Sequence, residues 1–101
     1  MLTGDDGRYG FKTIKPGSYP AGEGGWVRPP HIHFKVSRRG YHELITQMYF
    51  AGEPLNEPDR IRRALSAAER DSVTVEFRAA PSEMERGALL GLFDITLRKV
   101  V

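Results

Sequence analysis

The stretch Arg28-Pro29-Pro30-His31-Ile32-His33-Phe34 constrains this chain more than any other. Each proline fixes its own backbone angle and pushes the residue before it toward extended geometry, so the chain enters the histidine pair stiff and straight. In a strand, successive side chains point to opposite faces. His31 and His33 then share one face, and Ile32 and Phe34 share the other. Two imidazoles on one face of one strand can grip a single metal ion. The entropy of holding them is already reduced by the prolines upstream.

Strand-like segments and turns fill most of the remaining chain. Residues 4–7 (Gly-Asp-Asp-Gly) read as a turn. Arg8 to Lys15 alternates, with Tyr9, Phe11 and Thr13 on one face, and reads as a strand. Lys15 to Gly25 holds two prolines and four glycines around Tyr19 and reads as a loop, where functional side chains are often presented. His31 to Ser37 and Glu43 to Phe50 are expected as strands, separated by a turn at Ser37 to Gly40. Asn56 is expected to cap a short helix running to about Glu69, with Ile61 and Leu65 turned inward. Ser72 to Arg78 reads as a strand with Val73, Val75 and Phe77 on its apolar face. Leu89 to Val100 reads as the last strand, with Phe93, Ile95 and Leu97 alternating. No strand–helix–strand rhythm is evident, so the expected fold is mainly all-β: an antiparallel β-sandwich, partial, with one short helix.

At 101 residues the chain is long enough for one domain and too short for two, so 1–101 is expected to be a single domain. The formal net charge is only +2, and the tightest basic group, Arg60, Arg62 and Arg63, reads as a solvated helix face rather than a nucleic-acid surface. There is no cysteine, so any metal must be held by nitrogen and oxygen ligands, which suits iron, zinc, manganese or copper. No apolar run approaches the ~20 residues that span a bilayer, and no signal-peptide pattern opens the chain. A cytoplasmic location with no membrane partner is the default expectation.

Taken singly, the candidate residues have plain explanations. A His-x-His pair is often a solvent-facing alternation. Tyr19 could be a half-buried aromatic, Arg28 a surface cation and Gln47 an exposed strand residue. Together they suggest more. The glycine-rich loop can fold Tyr19 back over the histidine strand. A phenol with a pKa near ~10 needs a strong Lewis acid to ionise at neutral pH. Fe(III) is such an acid, whereas zinc more often takes Asp or Glu as its oxygen ligand.

The ordered segments Gly7-x-Tyr9-x-Phe11-x-Thr13-Ile14-Lys15-Pro16-Gly17-x-Tyr19-Pro20, Arg28-Pro29-x-His31-Ile32-His33-Phe34, Thr46-Gln47-x-Tyr49-Phe50 and Phe93-Asp94-Ile95-x-Leu97 carry a resemblance. The chain resembles the intradiol ring-cleavage dioxygenases, nearest to the protocatechuate 3,4-dioxygenase β-subunit type, with Ser66 to Leu90 poorly matched. The resemblance implies a mononuclear non-haem Fe(III) in a β-sandwich. It also implies cleavage of a catechol by O2 between its hydroxylated carbons, giving a cis,cis-muconate. Tyr19 matches the tyrosinate that leaves the metal when substrate binds, and His31 and His33 match the two histidine ligands. Arg28 matches the cation against the substrate ring, and Gln47 a polar residue of the same pocket. On this basis His31→Ala or His33→Ala should abolish ferric binding. Arg28→Ala should spare the metal and slow ring opening.

The family uses a second tyrosinate, a few tens of residues upstream of the position matched by Tyr19. Tyr9, Tyr41 and Tyr49 do not occupy it. The aromatic residue that often follows Tyr-Pro is Ala21 here, with Trp26 nearby. The expectation is a C-terminal piece of a longer dioxygenase, with a genuine short relative as the alternative. A homo- or hetero-oligomer is expected, because a half sandwich has exposed edges and a thin core. A cupin also places His-x-His on a strand, but it needs a ligand Glu where this chain has Ser37 and Arg38. A non-catalytic subunit of the α type and a transthyretin-like binding sandwich remain the non-enzymatic alternatives.

Overall fold

In the computed structural model, which describes residues 2–22, 25–81 and 87–100, the histidine segment is a six-residue strand, β3 (His31–Val36). Two short strands precede it, β1 (Tyr19–Pro20) and β2 (Val27–Arg28), paired antiparallel with Tyr19 opposite Arg28. Their hairpin is closed by the Ala21 N–H donating to Trp26 O at 2.8 Å. Gly22 and Gly25 both take positive φ in its turn, a conformation that costs other residues energy. The glycine-rich loop is therefore the device that folds Tyr19 back beside Arg28.

β3 pairs antiparallel with β4 (Leu44–Phe50), His31 opposite Tyr49 and His33 opposite Gln47. Opposed residues share a face, so the register sorts the sheet into two sides. One side carries His31, His33, Gln47 and Tyr49. The other carries Ile32, Phe34, Met48 and Phe50 and forms the core, joined by Val75, Phe77 and Phe93. Phe34 meets Phe93 and Phe11 edge-on or tilted, with ring centroids 5.0 and 5.8 Å apart, and Phe50 stacks on Phe77 at 5.0 Å.

Between β4 and the next strand the chain makes a 3-10 turn (Pro54–Asn56), helix α1 (Arg60–Arg63) and helix α2 (Ala67–Val73). It then enters β5 (Thr74–Val75), parallel to β4, so the sheet order is β3-β4-β5. A strand–helix–strand crossover is thus present after all. The single helix expected from Asn56 to Glu69 is divided in two. Asp59 caps α1 by accepting from the Arg62 N–H, and Ser66 caps α2 in a reciprocal capping box with Glu69. Asn56 is instead buried, its amide donating to Phe50 O at 2.7 Å. Leu65 is half-buried, whereas Ile61 faces solvent.

The strand expected from Ser72 to Arg78 is also divided. Val73 ends α2, and β6 (Phe77–Ala79) pairs with β7 (Leu89–Gly91) in a separate ribbon. Beyond β7 the alternation of Phe93, Ile95 and Leu97 persists in burial, but the ladder reduces to one bridge between Tyr41 and Lys99. Arg8 to Lys15 is irregular, not a strand. It is fastened by the Tyr9 hydroxyl donating to Phe93 O and by the Lys15–Glu53 ion pair.

These pieces make mostly antiparallel β layers around a thin core. The slab is 45 × 43 × 22 Å with a radius of gyration of 15.3 Å, where a compact chain of this length has about 13 Å. No helix among the described residues is long and apolar enough to cross a membrane.

Gly91 shows how tight that core is: a Cβ built there would lie 2.5 Å from the Phe77 ring. Phe77 is itself stacked on Phe50 and has little room to yield. Gly91→Ala is expected to destabilise the fold by about 1–3 kcal/mol, the usual cost of overpacking. The midpoint of urea unfolding checks this.

Candidate metal centre

The polar side of β3 and β4 faces the β1–β2 hairpin, and four nitrogen and oxygen atoms converge there. His31 Nε2 lies 3.4 Å from the Tyr19 hydroxyl, 3.2 Å from His33 Nε2 and 3.3 Å from Arg28 Nη1. Tyr19 and His31 meet as tilted rings, with centroids 5.6 Å apart. All five residues singled out in the sequence belong to one cluster, since the Gln47 amide oxygen accepts from Arg28 Nη2 at 2.7 Å.

His31 Nδ1 lies 2.9 Å from Pro29 O. A carbonyl can only accept, so Nδ1 carries the proton and the Nε2 lone pair is aimed into the cluster, where Arg28 Nη1 donates toward it at 3.3 Å. This is the tautomer a metal ligand needs, fixed by the kind of outer hydrogen bond that orients ligating histidines. Burial, reinforced by the charges of Arg28 and His33, holds His31 below the ordinary imidazole value, which keeps it neutral.

Two ligand atoms about 2.1 Å from a common ion at roughly 90–110° stand about 3.0–3.4 Å apart. The spacings around His31 Nε2 fall in this range, and two imidazoles with a phenol form a hard, nitrogen–oxygen donor set suited to a ferric ion. The residues present fit such an ion. Among the described residues, no group of three or more His, Cys, Asp and Glu side chains could hold a metal, so no carboxylate joins the two imidazoles. His33 and Tyr19 are both exposed, Tyr19 to 44%, so the cluster opens outward.

Arg28 departs most from its plain reading as a surface cation. Only 4% exposed, it donates from Nε to Asp59 Oδ1 at 2.9 Å and from Nη2 to Asp59 Oδ2 at 3.1 Å. Asp59 is fully buried and also receives the Tyr49 hydroxyl at 3.1 Å and the Arg62 N–H at 3.0 Å. Burial disfavours the charge on Arg28, but Asp59 outweighs it and holds the guanidinium above its ordinary value. Burial likewise pushes Asp59 up, but hydrogen bonds from Arg28 and the Arg62 backbone win and hold it low. Burial and the neighbouring Asp59 push the Tyr49 phenol up to about 12, so it stays protonated and donates. The basic group 60–63 is not a uniformly solvated face either. Arg62 is buried and donates to Thr74 Oγ1, and Arg60 lies over Trp26 with its guanidinium 4.8 Å from the ring centre.

Asp59 and Tyr49 are the site residues that the sequence reasoning passed over. Asp59 could have been found as a helix cap following Pro58. Its pairing with a residue 31 positions away has no local signature.

The family model described as dioxygenase matches residues 1–99. The chain is 44% identical over 101 residues to the protocatechuate 3,4-dioxygenase beta chain of Burkholderia cepacia, covering 96% of this chain and 42% of that protein. It is 38% identical over 89 residues to the catechol 1,2-dioxygenase of Candida albicans, covering 76% of this chain and 28% of the relative. It is 33% identical over 73 residues to a hydroxyquinol 1,2-dioxygenase of a Rhizobium species, covering 60% and 25%. The chain belongs to the intradiol ring-cleavage dioxygenase family. It spans less than half the length of these relatives.

Proposed function

We propose that the chain is a single unit, the C-terminal metal-binding portion of a non-haem Fe(III) intradiol dioxygenase that cleaves a protocatechuate-like catechol with O2. The observation that carries this reading is that the Tyr19 oxygen and His33 Nε2 both lie close to His31 Nε2, at 3.4 and 3.2 Å, with the His31 tautomer fixed by Pro29 O. Ferric iron, when bound, would supply the Lewis acidity that activates a catechol toward O2.

In this reading the chain's own residues have separate tasks. His31 and His33 hold the metal. Tyr19, on an exposed hairpin strand, would be the oxygen ligand, and its phenolate oxygen could take a proton from the incoming catechol. Arg28 keeps its charge at the edge of the cluster, where Nη1 can offset negative charge growing on the ring. The Gln47 amide oxygen closes the other side of the guanidinium.

A second reading is favoured by the open cluster, in which two imidazoles are joined by no carboxylate among the described residues. There the chain completes its site, or serves as a non-catalytic sandwich subunit, only together with another polypeptide segment. Homo- or hetero-oligomerisation is part of both readings. It is supported by apolar side chains in solvent, among them Ile14 at 85% and Ile45 at 70% exposed.

Ferric titration followed in the visible range separates these readings. A phenolate-to-iron absorption band that changes when protocatechuate is added is the expected result. A band that appears but ignores catechols would leave the subunit reading, and no band at all would remove the ferric assignment.

A further inference from the structure

We propose that Asp59 is the positioning residue for Arg28, brought to the cluster by the crossover between β4 and β5. This rests on the reading of Arg28 as the cation beside the substrate. Asp59 makes no hydrogen bond to Tyr19, His31 or His33; its two-point contact is with the guanidinium.

A guanidinium is a rigid planar fork, so whichever edge is bound decides where the remaining nitrogen points. Asp59 takes the Nε and Nη2 edge in a two-point clasp at 2.9 and 3.1 Å. Gln47 and the Tyr49 oxygen accept from Nη2 at 2.7 and 3.1 Å. Nη1 is left as the nitrogen without a contact to the anchor, and it is the one lying 3.3 Å from His31 Nε2. A monodentate anchor would let the plane rotate and turn Nη1 away.

The anchor is itself fixed. Asp59 begins α1 with extended backbone, and its Oδ2 accepts the Arg62 N–H that opens the helix. That same oxygen serves helix cap and guanidinium together. The four-residue α1 is too short to be stable on its own. Its start is held where the carboxylate is buried against Arg28, which gives the helical crossover a role in the site.

The test compares the 101-residue chain with Asp59→Glu and Asp59→Asn. Asp59→Glu keeps the charge but lengthens the arm by one methylene. It is expected to stay folded and keep its ferric affinity, while the Arg28 Nε–Hε NMR signal shifts and protocatechuate affinity of the ferric-loaded chain drops about 10- to 100-fold. Asp59→Asn, which leaves the guanidinium without its counter-charge, is expected to lower the melting temperature as well.

A wild-type Arg28 signal and wild-type catechol affinity in Asp59→Glu would overturn the proposal. So would ferric affinity, catechol affinity and melting temperature falling in step, since that is the mark of a purely structural residue. If the unaltered chain shows no ferric band, the dioxygenase reading fails. The NMR signal then decides for Asp59 alone: displaced in a folded Asp59→Glu chain it supports the anchor, and unmoved it sinks it.

Discussion

His31→Ala and His33→Ala are each expected to weaken ferric binding by more than about 100-fold, beyond what loss of an outer-shell partner costs. The two imidazoles stand 3.2 Å apart at Nε2, and either alone leaves one nitrogen and one phenol oxygen around the ion. Stability should distinguish the pair. His33 is exposed, so its loss should stay within about 0.5 kcal/mol. His31 is 8% exposed and holds Pro29 O, so its loss should cost about 1 kcal/mol for the hydrogen bond. His42, exposed and outside the cluster, is the control and should change nothing. Tyr19→Phe should bleach the visible band, because it removes the oxygen while keeping the ring packed near His31. Binding is read by ferric titration and by iron content after desalting. Iron retained at the unaltered level in both histidine variants would refute the ligand pair.

Alternation was legible wherever a strand has one wet and one apolar face. His31 to Phe34 and Leu44 to Phe50 were readable for this reason, and their pairing places His31 against Tyr49 and His33 against Gln47. The loop that returns Tyr19 was readable from its glycines, two of which take positive φ, but the two short strands that pair across it were not. The same logic failed at Arg8 to Lys15 and beyond Gly91. There, side chains alternate in burial or contact, but the backbone forms no ladder beyond the single bridge between Tyr41 and Lys99. Val73 and Val75 read as one strand face, yet the Ser66 capping box and a good helix-forming run carry α2 through Val73 first. The candidate ligands were legible because two residues apart on one strand is a local relation. Asp59 was not, because its meaning depends on a crossover that carries it 31 positions to Arg28. Buried ion pairs are long-range facts. A composition or a spacing does not contain them.

Arg28→Ala is expected to cost about 3–5 kcal/mol, because it strands a fully buried carboxylate without its counter-charge. A domain of this size has roughly 5–15 kcal/mol in total, so the variant loses a large fraction of its stability and its melting temperature falls. This adds a cost in stability to the expectation that Arg28→Ala spares the metal and slows ring opening. The pH dependence carries the diagnosis. In the unaltered chain Asp59 is held below the ordinary carboxylate value. Its contribution is therefore complete above the unfolded pKa of about 3.9 and is lost as pH falls through the folded value. Removing Arg28 takes away the strongest influence holding Asp59 low and leaves burial, which pushes it up, opposed by the Arg62 N–H and the Tyr49 hydroxyl. Its folded pKa therefore rises, and the variant loses less stability than the unaltered chain as pH falls and Asp59 takes a proton. Urea unfolding at pH 7 and pH 4.5 should show the gap between Arg28→Ala and the unaltered chain narrowing at the lower pH. A gap that stays constant would mean that Asp59 is not charged and buried against Arg28, and the anchored guanidinium would fall with it.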